Sequence, residues 1–157
     1  MSRTGESPIA VRIQRIVHAP PDRVFRAFLD PELMRQWIAP DGLDIDRITV
    51  DPRVDGYIEV WHSSRGVSTG RFEGRFVKID PPRELVYRWA FVGTEPEQGE
   101  YFDTLVRIHL RAWRDGQTQV SVVHERLADL REGAPHIYER LVQGWENCLD
   151  KLDRAVR

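Results

Sequence analysis

The chain has one cysteine, Cys148, among 157 residues, so no disulfide can close within it. Such a chain suits a reducing compartment. It has no apolar run near the ~20 residues that carry a helix across a bilayer. Met1 to Pro8 are polar and contain no apolar core of a signal sequence. The expectation is a cytoplasmic protein without membrane insertion, with residues 1–8 as a flexible N-terminus. An excess of one charge is missing as well. Acidic and basic residues alternate along the chain, the net charge is −2, and no basic stripe is present to follow a phosphate backbone. Nucleic acid is therefore not an expected partner. None of the five histidines stands at metal-ligand spacing from another histidine or from Cys148. Ser63-Ser64 lacks the glycine elbow of a hydrolase, and there is no phosphate-binding glycine loop. No metal and no cofactor are expected.

What is present is an ordinary globular composition, 41% hydrophobic and 31% charged, in a chain long enough to bury one substantial core. No internal repeat and no long Pro/Gly/Ser linker divides it. Residues 9–157 read as a single domain.

The hydrophobic period changes twice. Ile9 to Val17 reads as a first strand. Ala19-Pro20-Pro21-Asp22 then opens a short helix, because proline costs little where helical N–H groups have no partner and Asp22 suits the positive helix end. Asp30-Pro31 starts a second short helix, with Asp30 as its N-cap and with Leu33 and Trp37 one turn apart. From Leu43 to Leu127 the period is two. Strands are expected at Leu43–Val50, Gly56–His62, Val67–Ile79, Leu85–Phe91, Asp103–Trp113 and Gln119–Arg126. Asp80-Pro81-Pro82 and Asp115-Gly116 mark turns, and residues 93–102 read as a loop. Gly70 and Gly74 inside the longest run suit a bend or a close backbone approach. The period then returns to helical. Tyr138, Leu141, Trp145, Cys148, Leu152 and Val156 predict one amphipathic helix of roughly six turns. A meandering antiparallel sheet needs one face covered, and only this helix is large enough to cover it. The fold class is α+β, a curved antiparallel sheet of six to seven strands gripping a long C-terminal helix.

Four segments strengthen this reading. His18 to Pro40, containing Ala-Pro-Pro-Asp-Arg-Val-Phe and Asp-Pro-Glu-Leu, resembles the opening of the START-like (SRPBCC) superfamily. More narrowly it resembles the branch named after the activator of the heat-shock-protein-90 ATPase. Asp80-Pro-Pro-Arg-Glu-Leu-Val-Tyr-Arg-Trp89 resembles that branch's turn-and-strand signature. Val120-Ser-Val-Val-His-Glu125 and Gly144-Trp-Glu-Asn-Cys-Leu-Asp-Lys-Leu152 resemble its last strand and grip helix. The match runs in order over about residues 9–156. It implies the helix-grip fold, which in relatives hosts lipid and hormone binders, polyketide cyclases and co-chaperone domains.

Such a fold leaves room between sheet and helix, where small molecules bind. Alternation turns Ile58, Val60 and His62 of one strand toward the concave side, together with Val122 and His124 of the last. Tyr87, Trp89 and Phe91 share a face, as do Val106 and Ile108, and Phe72 with Phe76. Leu141 and Trp145 oppose them from the helix. Trp37 stands where the short helices meet the sheet edge, either as a cavity mouth or as a local plug. For each of these residues plain core packing is the alternative. His62 and His124 could orient a ligand, act as acid or base near neutral pH, or be satisfied structurally. Arg88, Arg107 and Arg111 fall on the solvated face, and Cys148 reads as an inert buried thiol.

Three functions follow from these features. The first is binding of a small hydrophobic molecule, lipid or polyketide-like, without turnover. The second, implied by the resemblance alone, is a co-chaperone-like activator of a heat-shock-protein-90-type ATPase. The third is a cyclase or dehydratase using His62 or His124. The exposed strand edges leave a homodimer open.

Overall fold

The period-two stretch forms six successive strands, and the first strand of the chain joins them. The computed structural model describes residues 9–157; the expected flexible N-terminus, residues 1–8, lies outside the described residues. The strands are β1 (Ala10–Val17), β2 (Asp44–Val50), β3 (Tyr57–Ser64), β4 (Val67–Asp80), β5 (Glu84–Val92), β6 (Tyr101–Ala112) and β7 (Thr118–Glu125). They build one antiparallel sheet in the order β1-β7-β6-β5-β4-β3-β2. β2 to β7 meander, each beside the next. β1 alone pairs out of sequence, with Val11 opposite His124 and Ile13 opposite Val122.

Two short helices follow β1. In α1 (Pro21–Ala27), Pro21 takes the first helical position and Asp22 lies in the first turn. In α2 (Pro31–Met34), the Asp30 carboxylate accepts the Glu32 N–H at 2.9 Å. Both starts follow the capping chemistry expected from the sequence.

The C-terminal region departs from expectation. One continuous helix of roughly six turns from Tyr138 is the prediction from spacing. The structure instead has α3 (Ala128–Gly133), α4 (Pro135–Tyr138) and a 16-residue α5 (Leu141–Val156). The chain breaks helix at Arg140, with φ −101° and ψ 4°. Tyr138 packs with Leu127, Leu130 and Ala134 in a small separate cluster. Apolar spacing continues across the break, so period alone could not reveal two different packing partners. α3 was not anticipated; its Leu130 is fully buried in that same cluster.

The main core lies between the concave face of the sheet and α1, α2 and α5. Ile58, Val60, Phe76, Tyr87, Val106, Ile108, Val120 and Val122 face Cys148, Leu149, Leu152 and Val156 of α5. Each fully buried aliphatic or aromatic side chain of this kind contributes about 1.5–3 kcal/mol. The far end of α5 is tied to the segment after β1 by a hydrogen bond. Asp153 accepts the His18 backbone N–H at 2.8 Å and the Arg157 guanidinium at 2.8 Å, with His18 Nδ1 3.1 Å away. Burial alone would raise the Asp153 carboxyl, but the hydrogen bonds from Arg157 and His18 together outweigh it and hold the group below its ordinary value.

Candidate functional site

Two glycines shape the concave face. Gly70 has φ +111°, and a Cβ there would lie 2.1 Å from the Val92 carbonyl oxygen, so only glycine fits. The β3–β4 register shifts beside it, between His62 and Ser63. Gly74 lies opposite Trp89, and a Cβ on it would meet the indole at 3.2 Å. Its bareness gives the Trp89 ring a place to lie. Both glycines do what the sequence suggested, a bend and a close approach.

Rings then run across the sheet. His62 lies 4.5 Å from Phe72, Phe72 5.2 Å from Trp89, and Trp89 5.7 Å from Tyr87, which in turn neighbours Phe76 at 6.3 Å. A second branch leaves Phe72 for Phe91 at 5.8 Å, then His124 at 6.0 Å and Trp145 of α5 at 6.1 Å. Phe91 and His124 lie nearly parallel, and the other pairs are tilted or edge-to-face, at separations where ring contacts are favourable. Ile58, Val60, Val106, Ile108 and Val122 form the aliphatic floor and are at most 2% exposed. Among the rings, Phe91 and Trp145 are only half-buried; Leu43 and Ile45 are half-buried as well, as are Ile13, Ile48, Val50 and Ile79 elsewhere around the same core.

The two histidines differ sharply. His124 is 1% exposed, and both its nitrogens are engaged. Trp145 Nε1 donates to Nδ1 at 3.0 Å, and Nε2 lies 2.7 Å from Thr104 Oγ1. Because the Thr104 hydroxyl donates to the Trp89 carbonyl at 2.6 Å, Nε2 must carry the proton it gives to Thr104. Burial pushes the His124 pKa down to about 3. A neutral imidazole with both nitrogens occupied has no lone pair or proton to offer a substrate near neutral pH. His62 is 6% exposed, and its Nδ1 lies 2.5 Å from Thr69 Oγ1. Burial lowers its pKa, and the nearby Asp46 carboxylate opposes the shift without reversing it. Its Nε2 makes no hydrogen bond to another described residue.

Of the remaining expected site residues, Trp37 is 1% exposed. Its N–H donates to the Ala27 carbonyl at 2.9 Å and its ring packs edge-on to Phe28 at 4.8 Å. It plugs the corner beside α1. Leu141 packs with Leu127, Leu130 and Ala134 in the smaller cluster. Cys148 is buried with its thiol pushed up to about 12 by desolvation, which leaves it protonated and unreactive. Thr104, Thr69, Leu43, Ile45 and Asp46 were not singled out from sequence. Thr104 shares its face with Val106 and Ile108, so a hydroxyl inside an apolar register was the available signal.

Two surface concavities lie elsewhere. One, of about 320 Å³, sits among Arg23, Arg26, Leu33 and Val156 where α1, α2 and α5 meet. The other, of about 400 Å³, lies on the convex face among Tyr57, Glu73, Arg75, Arg88, Tyr101 and Asp103. Neither lies between the sheet and α5. Nearby on the convex face, Trp61 is sandwiched by Arg47 and Arg71, and Arg88 pairs with Asp103.

The sequence pattern of the family described as Activator of Hsp90 ATPase homolog 1-like protein matches residues 18–157. Among solved structures, a protein from Chromobacterium violaceum is 27% identical with a TM-score of 0.76, covering 95% of this chain and 98% of its own. A protein from Arthrobacter aurescens is 17% identical with a TM-score of 0.77, over 95% of this chain and 86% of its own. CalU16 from Micromonospora echinospora is 24% identical with a TM-score of 0.62, over 94% of this chain and 75% of its own. The latter two likenesses speak for the fold alone. The chain matches no curated protein.

Proposed function

We propose, from the premise that the chain belongs to the Activator of Hsp90 ATPase homolog 1-like family, that it binds a small apolar molecule at the half-buried rings of the grip. The observation that supports this most is the unequal burial along the ring-lined face. Among the rings, Phe76 and Tyr87 are sealed, whereas Phe91 and Trp145, beyond Phe72 and His124, are only half-buried. A cluster of apolar rings with one polar atom at its rim is the usual composition of a small-molecule site. Trp145 is held across the face by a single side-chain hydrogen bond to His124. Entry of a ligand deeper into the grip requires that indole to move.

The cyclase or dehydratase reading loses support, since His124 is neutral and occupied on both sides and leaves only His62 as an acid or base. The co-chaperone reading keeps one specific observation, the convex concavity with its mixed charges and the exposed Tyr57 and Tyr101.

The test is NMR of the indole N–H signals during titration with naphthalene. The expected result is a saturable shift of the Trp145 signal, assigned with Trp145→Phe, while the Trp37 signal stays fixed. No shift at Trp145 up to the solubility limit overturns the reading. Native mass spectrometry of the purified protein, followed by organic extraction, then identifies any natural occupant.

A further inference from the structure

Resting on the ligand-binding reading above, we propose that the occupant of this site is an uncharged molecule bearing a hydroxyl group on an apolar, ring-shaped frame, with His62 Nε2 as its hydrogen-bond partner. The shape requirement comes from the rings that flank His62. Phe72 lies 4.5 Å from it and links it to Trp89 and to Phe91. Flat apolar frames gain most from such walls.

The polar requirement comes from the imidazole itself. Nδ1 is committed to Thr69 Oγ1 at 2.5 Å, and burial keeps the ring neutral. In a neutral imidazole one nitrogen donates and the other accepts. The Thr69 hydroxyl can serve either role, so Nε2 can present a proton or a lone pair as the ligand demands. A hydroxyl group meets both states without a change of protonation.

The charge requirement comes from what surrounds His62. The Asp46 carboxylate lies on the neighbouring strand, bonded to the Ser63 hydroxyl at 2.8 Å, and its field reaches His62. Arg47 and Arg71 on the adjacent strands turn to the other face, over the Trp61 ring. On α5, Lys151 is drawn to the Ala39 carbonyl and to Asp41. A carboxylate ligand would shed its water beside Asp46 with none of these cations to receive it, which is unfavourable. Fatty acids are accordingly poor ligands for this site, and neutral alcohols or phenols are good ones.

The experiment compares naphthalene, 2-naphthol and 2-naphthoate with the full chain at pH 7.5, read by the Trp145 indole N–H signal. One neutral hydrogen bond adds about three- to tenfold in affinity. 2-Naphthol is expected to bind that much more tightly than naphthalene, and at least about tenfold more tightly than 2-naphthoate. In His62→Phe the preference for 2-naphthol over naphthalene should disappear, whatever the variant's affinity for naphthalene itself. Asp46→Asn, which leaves the ring wall intact, should leave 2-naphthol unchanged and narrow the penalty on 2-naphthoate. Equal or tighter binding of 2-naphthoate overturns the proposal, as does a 2-naphthol preference that survives His62→Phe. If naphthalene binds without any preference for 2-naphthol, the binding site stands and this proposal falls. If none of the three binds, both fall.

Discussion

Two tryptophans of the grip are held in opposite ways. Trp37, in the turn after α2, is sealed at 1% exposure, and its N–H is satisfied by Ala27 of α1, only ten residues away. Near the end of α5, Asp153 is bonded by His18 in the turn that follows β1. Trp145 is half-buried, and its N–H reaches across from α5 to His124 of β7. Phe91, which stacks on the same His124, is half-buried too. The difference teaches that one helix can be anchored at one end and left adjustable at the other, so that stability and access need not compete for the same residues.

The largest effect expected from this contrast concerns the anchor. Trp37→Ala should destabilise the protein by about 3–5 kcal/mol, the range for emptying a buried tryptophan site. Trp145→Ala should cost less than half as much in the same urea titration. Equal losses would break the comparison.

The next effect is in pH. His124 has a pKa of about 3 when folded against 6.5 when free. Between those values the unfolded chain binds the extra proton, so stability is full above pH 6.5 and is lost as pH falls toward 3. The slope is about 1.4 kcal/mol per pH unit, or about 2 kcal/mol between pH 6.5 and 5. His62, also lowered, acts in the same direction. Asp153 loses its contribution only below the ordinary carboxylate range, so the upper window belongs to the histidines. Denaturation midpoints measured across pH for the parent and for His124→Gln should differ in slope by about one proton; parallel curves would show that His124 is not the buried group described.

Smaller again is Trp145→Phe, which keeps a ring but leaves His124 Nδ1 without its donor. A loss of about 1–2 kcal/mol is expected, together with faster amide exchange in the first turns of α5. Exchange unchanged there, with the loss spread over the whole sheet, would count against an adjustable end.

The smallest effect has the opposite sign. Gly144 sits inside α5 next to Trp145, and a Cβ there meets nothing within 4 Å. Gly144→Ala should therefore stabilise the protein by about 0.5–1 kcal/mol. A simultaneous weakening of naphthalene binding would sharpen the comparison, because it would place the freedom of this end in the helix backbone.

Much of the architecture was legible because local chemistry and global pattern agree. Asp30-Pro31 caps a helix as its residue types demand, and the alternation of Ile58, Val60 and His62 turns inward as a period of two requires. The break at Arg140 was not legible, since Tyr138 and Leu141 continue the apolar spacing while serving a second cluster. For the candidate site, alternation put His62 and His124 on the concave side and Trp89 with Phe91 on a shared face, with Trp145 opposite them on the helix. It could not separate a satisfied histidine from an available one. That distinction depends on Thr104 and Thr69, which reach the histidines through cross-strand register and a hairpin, and register between distant strands leaves no local mark.

One feature of the sheet also governs the order in which the protein can assemble. Every strand from β2 to β7 finds its neighbour directly before or after it in the chain, but β1 must wait for β7. Gln14 and Ser121, which meet across that last pairing, are 107 residues apart. On a growing chain β1 leaves the ribosome early and stays without its partner until nearly all the rest has followed. The meander can form from short loops, whereas closing β1 onto β7 costs the entropy of a long one. Until then Ile13 and Val17 lie on an uncovered strand edge, and that interval is when a chaperone has most to protect.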